Sequence, residues 1–144
     1  MADYREVMHM SFWEGLKREH PELNLGQPSK REYQVVPPVL NKGAQIAMGM
    51  NRKPEESIRV DVTLTNTPEE WFNRLRAESK TIQAEVAISD GAWEWEPRED
   101  KPEAHIILRK YVRLDGPRRE QYEWLVAAVV RFHQVFGRRI SSFN

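Results

Sequence analysis

The alternation over residues 57–64 sets the fold class. Ile58, Val60, Val62 and Leu64 alternate with Arg59, Asp61 and Thr63, the period of a strand with one buried face and one face that is wet or covered by something polar. A second strand is predicted over 44–50, and only the polar residues 51–56 separate the two. A parallel crossover needs about a dozen residues or more, so this pair must be an antiparallel hairpin. Residues 93–96 and 105–114 repeat the arrangement across a charged loop bounded by Pro97 and Pro102. One more short strand is predicted at 33–36, inside a connector over 22–38 that is punctuated by Gly26, Pro28 and the Pro37-Pro38 pair.

Three segments carry helical spacing instead. Tyr4, Val7, Met8, Phe12 and Leu16 recur at three- and four-residue steps over 3–19. Thr67-Pro68-Glu69-Glu70 reads as a helix start, with threonine as cap, proline preset for the first helical position and Glu70 closing a capping box. Its stripe of Trp71, Leu75, Ile82 and Val86 predicts one helix over 71–87. Ile82, Ala84, Val86 and Ile88 also alternate as a strand would; the absence of any glycine or proline from 71 to 87 decides for the helix. Asp115-Gly116-Pro117 supplies the cap and first turn of the last helix, whose apolar line is Tyr122, Leu125, Val129, Phe132, Phe136 and Ile140. The expected fold is α+β: an antiparallel sheet of about five strands with three helices packed on it, in the order α-β-β-β-α-β-β-α, as one domain over 1–144.

Composition excludes several functions. The 22 basic and 22 acidic residues cancel, so no global field steers the molecule toward nucleic acid or anionic lipid. The absence of cysteine removes disulfides, thiolate metal sites and cysteine nucleophiles, and fits a reducing compartment. The N-terminus leads into a charged amphipathic stretch, not a signal-peptide core, and no apolar run approaches membrane-spanning length, so a cytoplasmic location is expected.

Catalytic signals are absent. His9, His20, His105 and His133 lack the paired spacing of a zinc site, and His133, beside Phe132 and Phe136, reads as a half-buried, hydrogen-bonded core histidine. No glycine-rich loop could cradle a phosphate, so no nucleotide cofactor and no metal are expected; Asn41-Lys42-Gly43 and Met48-Gly49-Met50 read as a turn and a strand irregularity. The enzymatic alternative is a divergent metal-dependent nuclease in which Asp61 and Glu85 share an ion, which requires carboxylates within about 6 Å of each other. Ala87 stands where such a nuclease needs lysine, and neither Glu94-Trp95-Glu96 nor Glu103-Ala104-His105 supplies one. Trp93 and Trp95 share one strand face; core burial is their expected fate, a base-stacking platform the alternative.

Charge nevertheless segregates locally. Residues 109–119 hold five basic residues and one acid. Arg109, Tyr111 and Arg113 are expected on one strand face, with Lys110, Arg118 and Arg119 nearby, as a surface for nucleic acid or an acidic protein; a wet face paired with the acidic loop is the plainer alternative.

The early Phe12-Trp13, the Arg59-Val60-Asp61-Val62 strand, the helix from Trp71-Phe72 to Glu85-Val86, the Trp93-Glu94-Trp95 strand and the terminal Tyr122-Glu123-Trp124-Leu125 with Val135-Phe136 together resemble a bacterial and archaeal family catalogued as domain of unknown function 4268. Members of that family often accompany a restriction-nuclease-like domain, so the resemblance implies restriction-linked or phage-defence biology without implying an active site. The expectation is a non-catalytic binding module, monomeric or homodimeric. A structural oligomerisation domain using exposed Trp13, Trp71 or Trp124 is a further alternative.

Overall fold

The computed structural model describes residues 3–97 and 101–144. Among these, five strands form one antiparallel sheet in the order β1-β2-β3-β5-β4: β1 (Tyr33–Asn41), β2 (Ala44–Asn51), β3 (Ser57–Leu64), β4 (Ala92–Glu96) and β5 (Ala104–Tyr111). Both expected hairpins form. The pairing that joins them, β3 with β5 from Ser57↔Tyr111 to Leu64↔Ala104, brings together strands 40 residues or more apart. The centre of the charged loop, 98–100, lies outside the described residues.

β1 is longer than the sequence suggests. It runs through Pro37-Pro38 to Asn41, with its register interrupted between Val36 and Asn41. Proline has no N–H to give a ladder, and β1 tolerates the pair because it is an edge strand with a neighbour on one side only. The tight turn into β2 needs Gly43, whose φ is +83° and whose missing side chain leaves room for Asn66.

Among the described residues there are four α-helices, where three were expected: α1 (Tyr4–Glu19), α2 (Pro68–Arg76), α3 (Ser79–Val86) and α4 (Arg118–Ile140), with a 3-10 turn at Pro21–Leu23. Residues 81–86 are helical, but the single helix expected over 71–87 is broken at Ala77 and Glu78. The apolar stripe serves two partners: α2 packs against β3 and β5, whereas α3 turns onto α4. Glu78 makes the corner at φ −106°, ψ 18°, a conformation any residue can adopt, so no glycine or proline announces it. The expected caps differ as well. Thr67 sits left-handed at φ 37° without a capping hydrogen bond, and α4 starts after Pro117, leaving Asp115 to pair with Arg113.

The helices cover one face of the sheet. Val60, Val62, Ile106, Leu108, Ile46 and Met48 lie fully buried on it, beneath Phe132 and Phe136 of α4 and Leu75 of α2. Trp93 and Trp95 belong to the same face: Trp93 stacks on Phe132 with ring centroids 5.6 Å apart, and Trp95 meets Phe72 edge-on. Both are partly buried and pack against the core on the face that the helices cover, as expected. Trp13 and Trp71 are fully buried and Trp124 nearly so, which removes the aromatic interface considered for oligomerisation.

Candidate binding site on the helix-free sheet face

The side chains that alternate with the core residues line up across the opposite face in rows fixed by register. Ala92, Arg109, Arg59, Gly49 and Tyr33 form one row; Glu94, Ile107, Asp61, Ala47 and Val35 the next; Glu96, His105, Thr63 and Gln45 the third. Two of the central positions on β2 are occupied by the smallest residues, glycine and alanine. The face is therefore dished, and a pocket of ≈ 270 Å³ opens over Ala47, walled by Tyr33, Val35 and Gln45 on one side and by Arg59, Asp61, Thr63, Glu103 and His105 on the other. That is many times the about 30 Å³ a water molecule occupies.

Gly49 is not the irregularity that the sequence suggested; it pairs in register with Arg59. A side chain there would come within 2.6 Å of the Arg59 Nε, so glycine allows the arginine to lie flat across β2. From that position Arg59 donates through Nε to Asn51 Oδ1 at 3.2 Å and sets its Nη1 3.6 Å from Asp61 Oδ2.

Asp61 is 4% exposed although no helix covers it. The Thr63 hydroxyl donates to its Oδ1 at 2.9 Å, and His105 Nδ1 lies 3.4 Å from that hydroxyl and 3.9 Å from Oδ1, the latter an electrostatic contact rather than a hydrogen bond. The other ring nitrogen, Nε2, is 3.0 Å from Glu103 Oε1. The Asp61 carboxylate, with Glu103 adding to it, outweighs burial and raises the His105 pKa above its ordinary value. Both carboxylates thus spend one oxygen on the His105–Thr63 pair. Among the described residues, Asp61 Oδ2 and Glu103 Oε2 accept no hydrogen bond within 3.5 Å.

The expected basic surface does not form one row. Arg109 is on the helix-free face, held by Glu94 at 2.7 Å, Asn51 at 3.1 Å and Ser57 at 2.9 Å, and Tyr111 is exposed beside it. Lys110 projects to the helical side and pairs with Asp90 at 3.0 Å. Arg113 lies past the end of β5 and pairs with Asp115, so it does not share the face of Arg109 and Tyr111. Arg118 rests over the Phe12 ring and donates to Ser11, while Arg119 pairs with Glu123. Four of the five cations therefore sit against a carboxylate.

Asp61 and Glu85 do not converge. Asp61 occupies the helix-free face, whereas Glu85 lies on α3 in the helical layer, where Arg138 and Arg139 engage it. Among the described residues no group of three or more histidine, aspartate or glutamate side chains could hold a metal ion, and no helix is long and apolar enough to cross a membrane. His133 is half-buried with Nε2 against the Pro37 carbonyl, and burial lowers its pKa.

The Asp61–Thr63–His105–Glu103 constellation was missed from sequence. The alternation puts Asp61 and Thr63 on one face and His105 within a strand, but only the β3–β5 register sets Thr63 opposite His105.

The fold has a solved counterpart in YbjN from E. coli, a protein suggested to be a transcription regulator: the TM-score is 0.54 at 12% identity, over 89% of this chain and 87% of that one. No curated protein matches the sequence. The model of the family described as a domain of unknown function, DUF4268, matches residues 8–140, and the chain belongs to that family.

Proposed function

We propose that the protein is a non-catalytic binding module whose partner is a protein docked on the helix-free face of the sheet. The observation that supports this most is the pocket over Ala47, where polar groups from β1, β2, β3 and the start of β5 converge on a concavity that the fold leaves open. A sheet face that only has to be wetted needs no such dish. Buried, mutually held polar side chains around a recess are the usual means of fixing a ligand's orientation.

The basic segment supports contact with nucleic acid or an acidic protein less well. Opposite charges within 2.7–3.2 Å of Arg109, Lys110, Arg113 and Arg119 cancel most of the local field that would attract phosphates. Nucleic-acid contact stays as a second reading because the fold's counterpart YbjN is suggested to regulate transcription and because Arg113 and Arg119 are more than four-fifths exposed. A restriction-linked role for the module, the expectation drawn from the family resemblance, is compatible with either partner.

The two readings separate in one experiment. A photo-crosslinking residue at Gln45, on the pocket wall, should capture a protein that is not captured from Val130, on the exposed side of α4, nor from Gln45 once Ala47→Trp fills the recess. Labelled duplex, single-stranded DNA and RNA should show no salt-dependent binding. Binding whose logarithm falls with salt at roughly −0.9 per phosphate on duplex, and which is lost on reversing Arg113 and Arg118 to glutamate, would replace the first reading with the second.

A further inference from the structure

Helix α4, the longest of the four, begins without a cap. It follows Pro117, whose ring can accept no hydrogen bond, and Asp115, the acid that the sequence offers as a cap, pairs with Arg113 instead. Among the described residues the amides of Arg118, Arg119 and Glu120 therefore donate to nothing. With the helix dipole they leave a partial positive charge at that end. A recess of ≈ 320 Å³ opens there, between the first turn of α4 and the end of β5. It lies on the helical side of the sheet, where Ile58 and Lys110 stand in register.

A helix end alone names no ligand, but a buried side chain beside this one does. Gln121 lines the recess and is 4% exposed. Its Nε2 donates to the Arg113 carbonyl at 2.8 Å, which orients the carboxamide, and its Oε1 is left without a hydrogen-bond partner. The large majority of buried polar atoms in folded proteins have such a partner. The recess thus calls for two groups side by side, an acceptor for the free amides and a donor for Gln121. Val112, with Ile58 behind it, supplies an apolar wall. The charged side chains then select among anions. Lys110 and Arg113 line the recess with Asp90 and Asp115 already against them, and Glu120 adds a negative charge of its own. A phosphate dianion would meet the Glu120 carboxylate with two charges and, fully ionised, has no proton to give Gln121. The last residue of a polypeptide carries a single carboxylate charge, an amide N–H two bonds from that carboxylate and a side chain between them.

We propose that the recess at the start of α4 binds the C-terminal residue of a partner polypeptide. The carboxylate of that residue accepts from the first-turn amides of α4, its own amide N–H donates to Gln121 Oε1, and an apolar side chain lies against Val112. This site is on the opposite side of the sheet from the pocket over Ala47 and stands independently of it.

The test is an amide-shift titration of the full chain with acetyl-glycyl-glycyl-leucine bearing a free C-terminal carboxylate. Its C-terminal amide, the form methylated on the leucine nitrogen, and inorganic phosphate are titrated alongside. The free acid should give saturable shifts centred on Gly116, Arg118, Arg119, Glu120 and Gln121. The C-terminal amide has no charge for the helix end and the N-methyl form no donor for Gln121, so each should bind about tenfold more weakly or worse. Glu120→Gln, at an exposed position, should tighten the free acid and leave the amide unchanged. These comparisons alter the ligand or an exposed side chain, so none depends on a buried variant folding. Equal affinity of the acid and either edited peptide, binding of phosphate in place of the peptide, no tightening of the acid in Glu120→Gln, or no shifts with any compound overturns the assignment. The crosslink from Gln45 reads the other face of the sheet and is unaffected by any of these results.

Discussion

Among the contacts that fasten helix α1 to the rest of the protein, where Phe12, Trp13 and Leu16 are buried in the core, one buried hydrogen bond can be dissected by a double-mutant cycle. The Tyr122 hydroxyl of α4 donates to the Phe12 carbonyl at 2.7 Å, and a Cβ added to Gly15 would stand 2.5 Å from the same hydroxyl oxygen but 3.4 Å from the nearest ring carbon. Tyr122→Phe removes the hydrogen bond. Phe12 lies inside α1, so its carbonyl keeps the backbone bond of the helix, and the loss should be about 1 kcal/mol. Gly15→Ala gains about 1 kcal/mol of helix propensity but forces the hydroxyl aside, at a cost of about 1–3 kcal/mol, so the wild-type background is destabilised by roughly 0–2 kcal/mol. In the Tyr122→Phe background the obstruction is gone and ordinary van der Waals contact remains, so the same Gly15→Ala should stabilise by about 1 kcal/mol. Urea unfolding followed by the fluorescence of the buried tryptophans gives all four free energies, and each kcal/mol corresponds to about 2–4 °C in Tm for a chain of this size. The reasoning fails if Gly15→Ala has the same effect in both backgrounds within about 0.5 kcal/mol, the limit of additivity for independent sites.

Two further outcomes follow from the packing and charge of the sheet. The folded-state pKa of His105 is raised above the unfolded value, so the stabilisation from its carboxylate partners is fully present below about pH 6.5 and is lost as pH rises through the folded pKa; the urea midpoint of the wild type should fall over that window while that of His105→Gln does not, and parallel curves would contradict the assignment. Phe132→Ala empties a fully buried site stacked on Trp93 and should cost about 3–5 kcal/mol and change the near-ultraviolet circular dichroism, whereas Val130→Ala, on the exposed side of the same helix, should stay within about 0.5 kcal/mol.

Local spacing determined which side a residue takes along β3 and α4, but not at the start of α1, where Tyr4 and Val7 of the expected apolar stripe are exposed and only Phe12 and Leu16 of it are buried. The alternation of 57–64 put Ile58, Val60, Val62 and Leu64 in the core, and the line from Tyr122 to Ile140 put one face of α4 against the sheet. Short connections made both hairpins antiparallel, and the resemblance carried by the aromatic positions identified the family. Periodicity says which way a side chain points but not what it meets, and everything that depends on meeting was decided by the tertiary structure. Arg109 and Arg113, four residues apart along one expected strand, end in different surroundings because β5 stops at Tyr111. The stripe from Trp71 to Val86 fits one helix as well as two, and the break at Glu78 exists because the sheet and α4 lie in different directions from it. The pocket needed Gly49 and Ala47 on β2, Asp61 and Thr63 on β3 and His105 on β5 to fall into register, and register between strands distant in sequence is set by how whole faces pack, which no local pattern records.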